Sequence, residues 1–149
     1  MISDAIFLVG TLEHCRKTVE LQSDPVYLYV FDHFTPSIMG PLASIMPIQD
    51  STHTSELFYL FKKGLFGTPE MNETEMRVID SFTTAFTNFA KYGNPNGYYG
   101  CSILPIYWQP ITKENPEENY VFTSEEPKMN SALFEGRTAA FIDIRDRYK

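Results

Sequence analysis

The sequence predicts an α/β fold, in which helices cover a parallel sheet. Residues 26–31 are apolar on both faces, which is typical of a strand buried between two helical layers. Helical patterns of apolar side chains flank this strand, at about residues 4–21 and 72–92. A strand of this kind covered by helices indicates the α/β class.

The first helix is predicted at residues 4–21. Asp4 can cap its start, and apolar side chains recur three and four residues apart on one face, at Leu8, Leu12, Cys15 and Val19. Pro25 ends the helical region, because proline disfavours the helical conformation of the residue before it. The predicted strand follows directly.

Residues 32–50 are predicted to be a loop, since they contain three prolines and show no periodicity. Loops of this length in a compact domain are usually functional. This one follows the carboxyl end of the strand, where open parallel sheets place their ligand sites. It leads to His53 and to a short helix predicted at residues 55–61.

The strongest helical signal comes next. Asn72 and Glu75 have the spacing of a capping box, and the predicted buried stripe is Val78, Ile79, Phe82, Phe86 and Phe89. Gly93 suits the left-handed position after the helix. Further on, alternation predicts an edge strand at residues 118–123, and a final helix is predicted around residues 141–144.

Composition excludes several classes of function. The 149 residues are 43% hydrophobic and carry a formal net charge of −7, which opposes binding to nucleic acid or to anionic membranes. No apolar run approaches the ~20 residues of a membrane span.

The two cysteines, Cys15 and Cys101, match no metal or redox motif, so no cofactor is predicted. A disulfide between them and two free thiols stay equally open. Asn72-Glu73-Thr74 is a glycosylation acceptor triplet.

Four sequence motifs follow one another along the chain: Ser3-Asp4-Ala5-Ile6-Phe7, the tyrosine-rich strand ending in Asp32-His33, the histidine segment His53-Thr54-Ser55-Glu56 with its aromatic run, and NFAKYGNPN at residues 88–96. They resemble, in the same order, motifs of the type-B carboxylesterases and cholinesterases. The last string is the most specific, and the capping argument explains it as a helix ending. A later Leu104-Pro105-Ile106-Tyr107 is similar to the family's Trp-Pro-x-Tyr.

The resemblance implies that residues 1–149 are the C-terminal segment of a single α/β-hydrolase domain. Such esterases present their nucleophile in a GxSxG turn, and their triad follows the order serine, acid, histidine. No GxSxG occurs in this chain. We therefore expect the serine and the acid to lie in an upstream part of the same domain, which would be the partner of this segment. One or two strands do not form a stable sheet alone, so the isolated chain should be inactive and should expose apolar surface.

By the resemblance, His53 is the catalytic residue that this chain supplies. It would act as general base toward the serine and then as general acid toward the leaving alcohol of a small carboxylic ester. The family usually has glycine directly after this histidine and again three residues before it, where this chain has Thr54 and Asp50. Thr54 brings a Cβ to a place of close backbone approach, and Asp50 adds a charge.

Other residues have structural interpretations beside functional ones. His33 is the rival histidine but is better read as a polar residue at a strand end, and His14 is expected to be solvated. Glu56 is expected to accept a structural hydrogen bond, and Asp4 either caps the helix or joins a buried network. The aromatic residues Phe58, Tyr59 and Phe61 are expected in the core.

Two alternatives to the esterase remain. A cholinesterase-like adhesion or binding domain would keep the fold and lack the nucleophile, and a degenerate 149-residue product would be inactive. The family resemblance suggests a secreted or endoplasmic-reticulum protein, although the sequence itself carries no address.

Overall fold

A computed structural model describes residues 4–64, 66–98 and 104–148. The chain divides into two compact units, each assembled from separate stretches of sequence. The first unit takes in the described residues up to Tyr29, Trp108–Tyr120 and the residues from Met129 onward. The second unit takes in the described residues of Val30–Tyr107 together with Val121–Lys128.

Five α-helices and three strands make up the regular structure of the described residues. The helices are α1 (Val9–Leu21), α2 (Pro36–Met39), α3 (Ser55–Leu60), α4 (Glu73–Tyr92) and α5 (Arg137–Arg147). The strands are β1 (Tyr29–Asp32), β2 (Asn119–Thr123) and β3 (Lys128–Asn130). Among the described helices, none is long and apolar enough to cross a membrane.

The first unit is organised around the pairing of α1 with α5. A π-helical turn, Asp4–Leu8, leads into α1, so the helix predicted at residues 4–21 is confirmed apart from its looser first turn. Val9 and Leu12 pack with Ile142 in an apolar cluster. The Arg145 guanidinium bonds the Glu13 carboxylate at 2.5 Å across the same helix pair. The final helix is also confirmed, and it is longer than predicted.

Trp108 anchors the rest of the first unit. Its indole Nε1–H donates to the Leu28 carbonyl oxygen at 3.1 Å, and its ring lies 5.1 Å from the ring of Tyr120. Burial raises the pKa of the Tyr120 hydroxyl to about 12. Cys15 on α1 is a buried free thiol whose pKa is raised by burial, whereas Cys101 lies outside the described residues.

The sheet has the strand order β1-β2-β3. The strand predicted at residues 26–31 corresponds to β1, which is shorter and begins later, at Tyr29. Val26 lies outside it and forms only an isolated antiparallel bridge with Ile111. The prediction of an edge strand at residues 118–123 is wrong in its position, since β2 is the middle strand. Its first four residues are all buried. The alternation of polar and apolar residues suggested an edge strand, but the polar Asn119 is buried. Its side-chain amide donates hydrogen bonds to the backbone carbonyls of Glu117 and Ala132.

The second unit is built on α4, whose predicted start is confirmed. The Asn72 side chain accepts from the Glu75 N–H at 2.9 Å, and the Glu75 carboxylate accepts from the Asn72 N–H at 2.7 Å, which completes a capping box. Val78 and Ile79 pack against Ile38 and Tyr59 in the core. The helix ends at Gly93 in the left-handed conformation, with φ at 65°.

Three predictions for the second unit need correction. Residues 32–50 are not an irregular loop, because they contain α2 and a 3-10 helix, Gly40–Ile45, too short for periodicity to reveal. Phe89 is half exposed at the end of the predicted buried stripe. Phe61 lies just beyond the end of α3 and is 70% exposed, whereas Tyr59, on α3, is buried as expected.

Large apolar side chains remain exposed in both units. Leu21 is 86% exposed in the first unit and Ile45 is 76% exposed in the second. Scattered apolar residues are normal on a protein surface.

Candidate active site

His53 lies in a tight turn that directly precedes α3. The Thr52 N–H donates to the Ser55 hydroxyl at 3.2 Å, and the Ser55 N–H donates to the Thr52 carbonyl at 3.0 Å. Ser55 is buried, whereas His53 is exposed. Two hydrogen bonds between Thr52 and Ser55 therefore hold the turn that contains His53. The His53 side chain is exposed at the surface of the second unit.

Thr54, the residue after His53, has an unusual backbone conformation. Its φ of 72° and ψ of −1° place it in the left-handed region, which non-glycine residues visit rarely and β-branched residues hardly at all. Its carbonyl accepts the Leu57 N–H at 3.1 Å, while its side chain makes no capping bond. The turn thus requires at this position the conformation that glycine adopts without strain.

The other residues near His53 have local roles. The Asp50 carboxylate accepts the Ser51 N–H at 2.7 Å. Glu56 is half-buried in the first turn of α3. The Gln49 amide donates to the Ala43 carbonyl at 3.2 Å, which ties the segment before the turn to the 3-10 helix.

Two predicted residues lie away from this turn. His14 is exposed on α1, as expected for a solvated side chain. Asp4 begins the π-helical turn, and its side chain lies outside the described part of the structure.

His33 is buried in a cluster that the sequence did not reveal. It follows β1 and is only 7% exposed, with its ring 5.1 Å from Tyr59 and 6.4 Å from Phe31. Among the described residues, no partner bonds its Nε2. The prediction of a strand-end residue is correct for its place in the chain, but the side chain packs between aromatic rings.

Glu75 joins this buried cluster to the start of α4. It is 4% exposed, and besides its capping bonds it accepts a hydrogen bond from the Thr35 hydroxyl. Thr35 is the residue that precedes α2. One carboxylate therefore ties the starts of α2 and α4 together. The capping-box spacing was a signal for Glu75, but nothing in the sequence pointed to Thr35, which is forty positions away.

The electrostatics of the cluster favour the neutral forms of His33 and Tyr59. Desolvation by burial lowers the pKa of His33, and the negative charges of Glu75 and Asp32 oppose that effect without cancelling it. Burial raises the pKa of Tyr59 well above its ordinary value, and the Glu75 charge raises it further. A neutral, enclosed imidazole is suited to packing rather than to proton exchange with a substrate.

A cavity in the second unit is not lined by His53. It has a volume of about 540 Å³ and lies in the second unit between α4 and residues 122–127, with Arg77, Ser81 and Phe122 among its lining residues. No group of three or more potential metal ligands occurs in the described ranges.

Comparison with known proteins identifies relatives along most of the chain. A family model described as the carboxylesterase family matches residues 1–141. Esterase cest-33 of Caenorhabditis elegans is 31% identical over 136 residues, which are 91% of this chain and 24% of that protein. Human bile salt-activated lipase is 32% identical over 119 residues, covering 76% of this chain and 14% of the lipase. The chain thus spans a quarter or less of the length of these two relatives.

The fold has a counterpart in a solved enzyme structure. Carboxylesterase EST55 of Geobacillus stearothermophilus superposes with a TM-score of 0.69 at 23% identity, over 93% of this chain and 26% of that one. At this identity the similarity supports the fold alone: the described structure is part of an α/β-hydrolase fold. Because the family model matches residues 1–141 of the 149, the chain belongs to the carboxylesterase family.

Proposed function

We propose that this chain is the C-terminal segment of an esterase that hydrolyses small carboxylic esters through a serine acyl-enzyme. Membership of the carboxylesterase family supports ester hydrolysis. The chain contains no GxSxG turn, so the nucleophile and the triad acid would come from an upstream part of the same domain. The isolated segment would accordingly be inactive.

In this proposal His53 is the general base of the reaction. It takes the proton of the serine hydroxyl as the serine attacks the ester carbonyl, and it returns the proton to the leaving alcohol. The observation that carries the assignment is the left-handed backbone of Thr54 at φ 72°, immediately after His53. Esterases of this family usually have glycine at that position, so the turn has the backbone conformation that such a glycine would adopt.

The surroundings of the two candidate histidines support the choice of His53. His53 is exposed on a turn, where an upstream serine and a substrate can approach it. His33 is enclosed by Phe31 and Tyr59, and its burial lowers its pKa. A base must lie within hydrogen-bond reach of the hydroxyl that it deprotonates, and enclosure removes His33 from that role.

The test is to replace His53 with alanine in the full-length protein and to follow hydrolysis of a p-nitrophenyl ester. Loss of a general base should reduce kcat by at least about a hundredfold. Added imidazole should restore part of the rate, because a soluble base can enter the vacated space. His14→Ala, at an exposed position on α1, is the matched control and should retain activity. Near-normal turnover by the His53 variant would exclude the assignment.

A fluorophosphonate probe distinguishes an enzyme from a non-catalytic homologue. Such probes modify an activated serine, so a full-length esterase should be labelled and its His53→Ala variant should be labelled much more slowly. The appropriate sample is native protein captured with an antibody to its C-terminal tail, residues 143–149. Absence of label on the native full-length protein would contradict the proposed function.

A further inference from the structure

The first turn of α4 carries a feature that ester hydrolysis does not use. Asn72-Glu73-Thr74 is the single Asn-x-Ser/Thr triplet in the 149 residues. Such a triplet becomes a site of modification only where a bulky glycan can be accommodated at the surface. Asn72 and Glu73 are both exposed in the folded second unit, and Thr74 is half-buried.

The two atoms of the Asn72 amide group have separate tasks. The oxygen Oδ1 accepts the Glu75 N–H at 2.9 Å and caps α4. The nitrogen Nδ2 makes no hydrogen bond to any described residue. An N-linked sugar is attached to this nitrogen and leaves the oxygen a carbonyl acceptor. Capping and modification are therefore compatible at one side chain.

We propose that Asn72 carries an N-linked glycan in the full-length protein, attached to Nδ2 while Oδ1 continues to cap α4. The donor is a lipid-linked oligosaccharide diphosphate. A bond forms between Nδ2 and the anomeric carbon of the first sugar, the bond from that carbon to the diphosphate oxygen breaks, and the lipid diphosphate leaves as Nδ2 loses one proton. The modification requires the full-length protein to enter the secretory route.

The structure also explains why folding does not obstruct the glycan. Asn72 has an extended backbone, with φ −81° and ψ 176°, and stands just before α4 rather than within it. The buried face of α4 begins with Glu75 and continues through Val78 and Ile79. A glycan on the exposed capping residue would thus leave the apolar packing of the helix undisturbed.

The experiment uses native full-length protein captured with an antibody to its C-terminal tail. Treatment with peptide-N-glycosidase F in heavy-oxygen water converts a glycosylated asparagine to aspartate that contains the heavy oxygen. Trypsin then releases the peptide of residues 64–77, in which Asn72 is the only asparagine, so the mass shift assigns the site. We expect this peptide to carry the label. Recovery of the peptide solely with unmodified Asn72 would overturn the proposal.

Two variants separate the glycan from the cap. Asn72→Asp removes Nδ2 but retains a capping oxygen, and Thr74→Ala removes the acceptor triplet but retains Asn72. When either full-length variant is expressed in a secretory host, the labelled peptide should disappear while the melting temperature of the deglycosylated protein stays near that of the parent. A glycan on Asn72 that persists in the Thr74→Ala variant would contradict the proposed acceptor triplet.

Discussion

The Thr54→Gly substitution tests how the His53 turn is built. Thr54 is exposed, makes no side-chain capping bond and has φ at 72°, so glycine removes backbone strain without removing a capping hydrogen bond. A left-handed conformation costs an L-residue about 1–2 kcal/mol, which glycine would relieve. The greater freedom of glycine in the unfolded chain offsets about 0.4–1 kcal/mol of that gain. We expect the free energy of unfolding to rise by roughly 0.5–1 kcal/mol.

The assay is urea unfolding of the full-length protein, with two glycine variants as controls. Lys62 also has a positive φ, at 52°, so Lys62→Gly should stabilise by a similar amount. Thr52 is not among the described residues with positive φ, so Thr52→Gly should destabilise. A loss of stability in Thr54→Gly, with a gain in Lys62→Gly, would refute the argument that strain is stored in the turn.

The same variant has a functional readout. If the turn presents His53 as a family esterase does, Thr54→Gly should preserve or raise kcat for ester hydrolysis, because the backbone already has the conformation that glycine prefers. Lys62→Gly should leave kcat unchanged. A large loss of turnover in a stable Thr54→Gly protein would count against His53 as the general base.

Two further predictions concern the buried cluster behind α3. Glu75→Leu leaves the buried Thr35 hydroxyl and the half-buried Asn72 N–H without their acceptor. At about 1–3 kcal/mol for an unsatisfied donor, the free energy of unfolding should fall by roughly 3 kcal/mol. Glu75→Gln keeps an acceptor and should cost less; equal losses in urea unfolding would show that the hydrogen bonds are unimportant. The pKa of His33 is lowered from 6.5 by burial, so below pH 6.5 the unfolded chain binds a proton that the folded chain refuses, and stability should fall as the pH falls. His33→Phe should flatten this dependence in melting experiments between pH 7 and pH 5, and an unchanged slope would exclude His33 as its source.

The local elements of this chain were predictable because their signals lie within a few residues. The Asn72 and Glu75 pair predicts the start of α4, and Gly93 predicts its end, since a capping box and a left-handed glycine act through neighbouring backbone groups. The helix at residues 4–21 followed from its apolar spacing. Motif order led to the carboxylesterase family, which the family match confirms.

Environments set by distant residues were not predictable in the same way. The sequence of β2 alternates like an edge strand, yet the sheet places it in the middle. Nothing local to Thr35 shows that its hydroxyl bonds Glu75. Likewise, His33 and His53 are both polar residues outside strands, and folding buries one against Tyr59 and exposes the other.

The sequence by itself determined the family, the start and end of α4 and the choice of His53 as the candidate base. Tertiary structure decided which polar groups are buried and which backbone is strained. The physical reason is range: caps and periodicity depend on residues three or four positions apart, whereas the burial of His33 depends on how separate elements pack. At Thr54 the side chain opposes the conformation that the surrounding turn imposes, so only the folded chain reveals it.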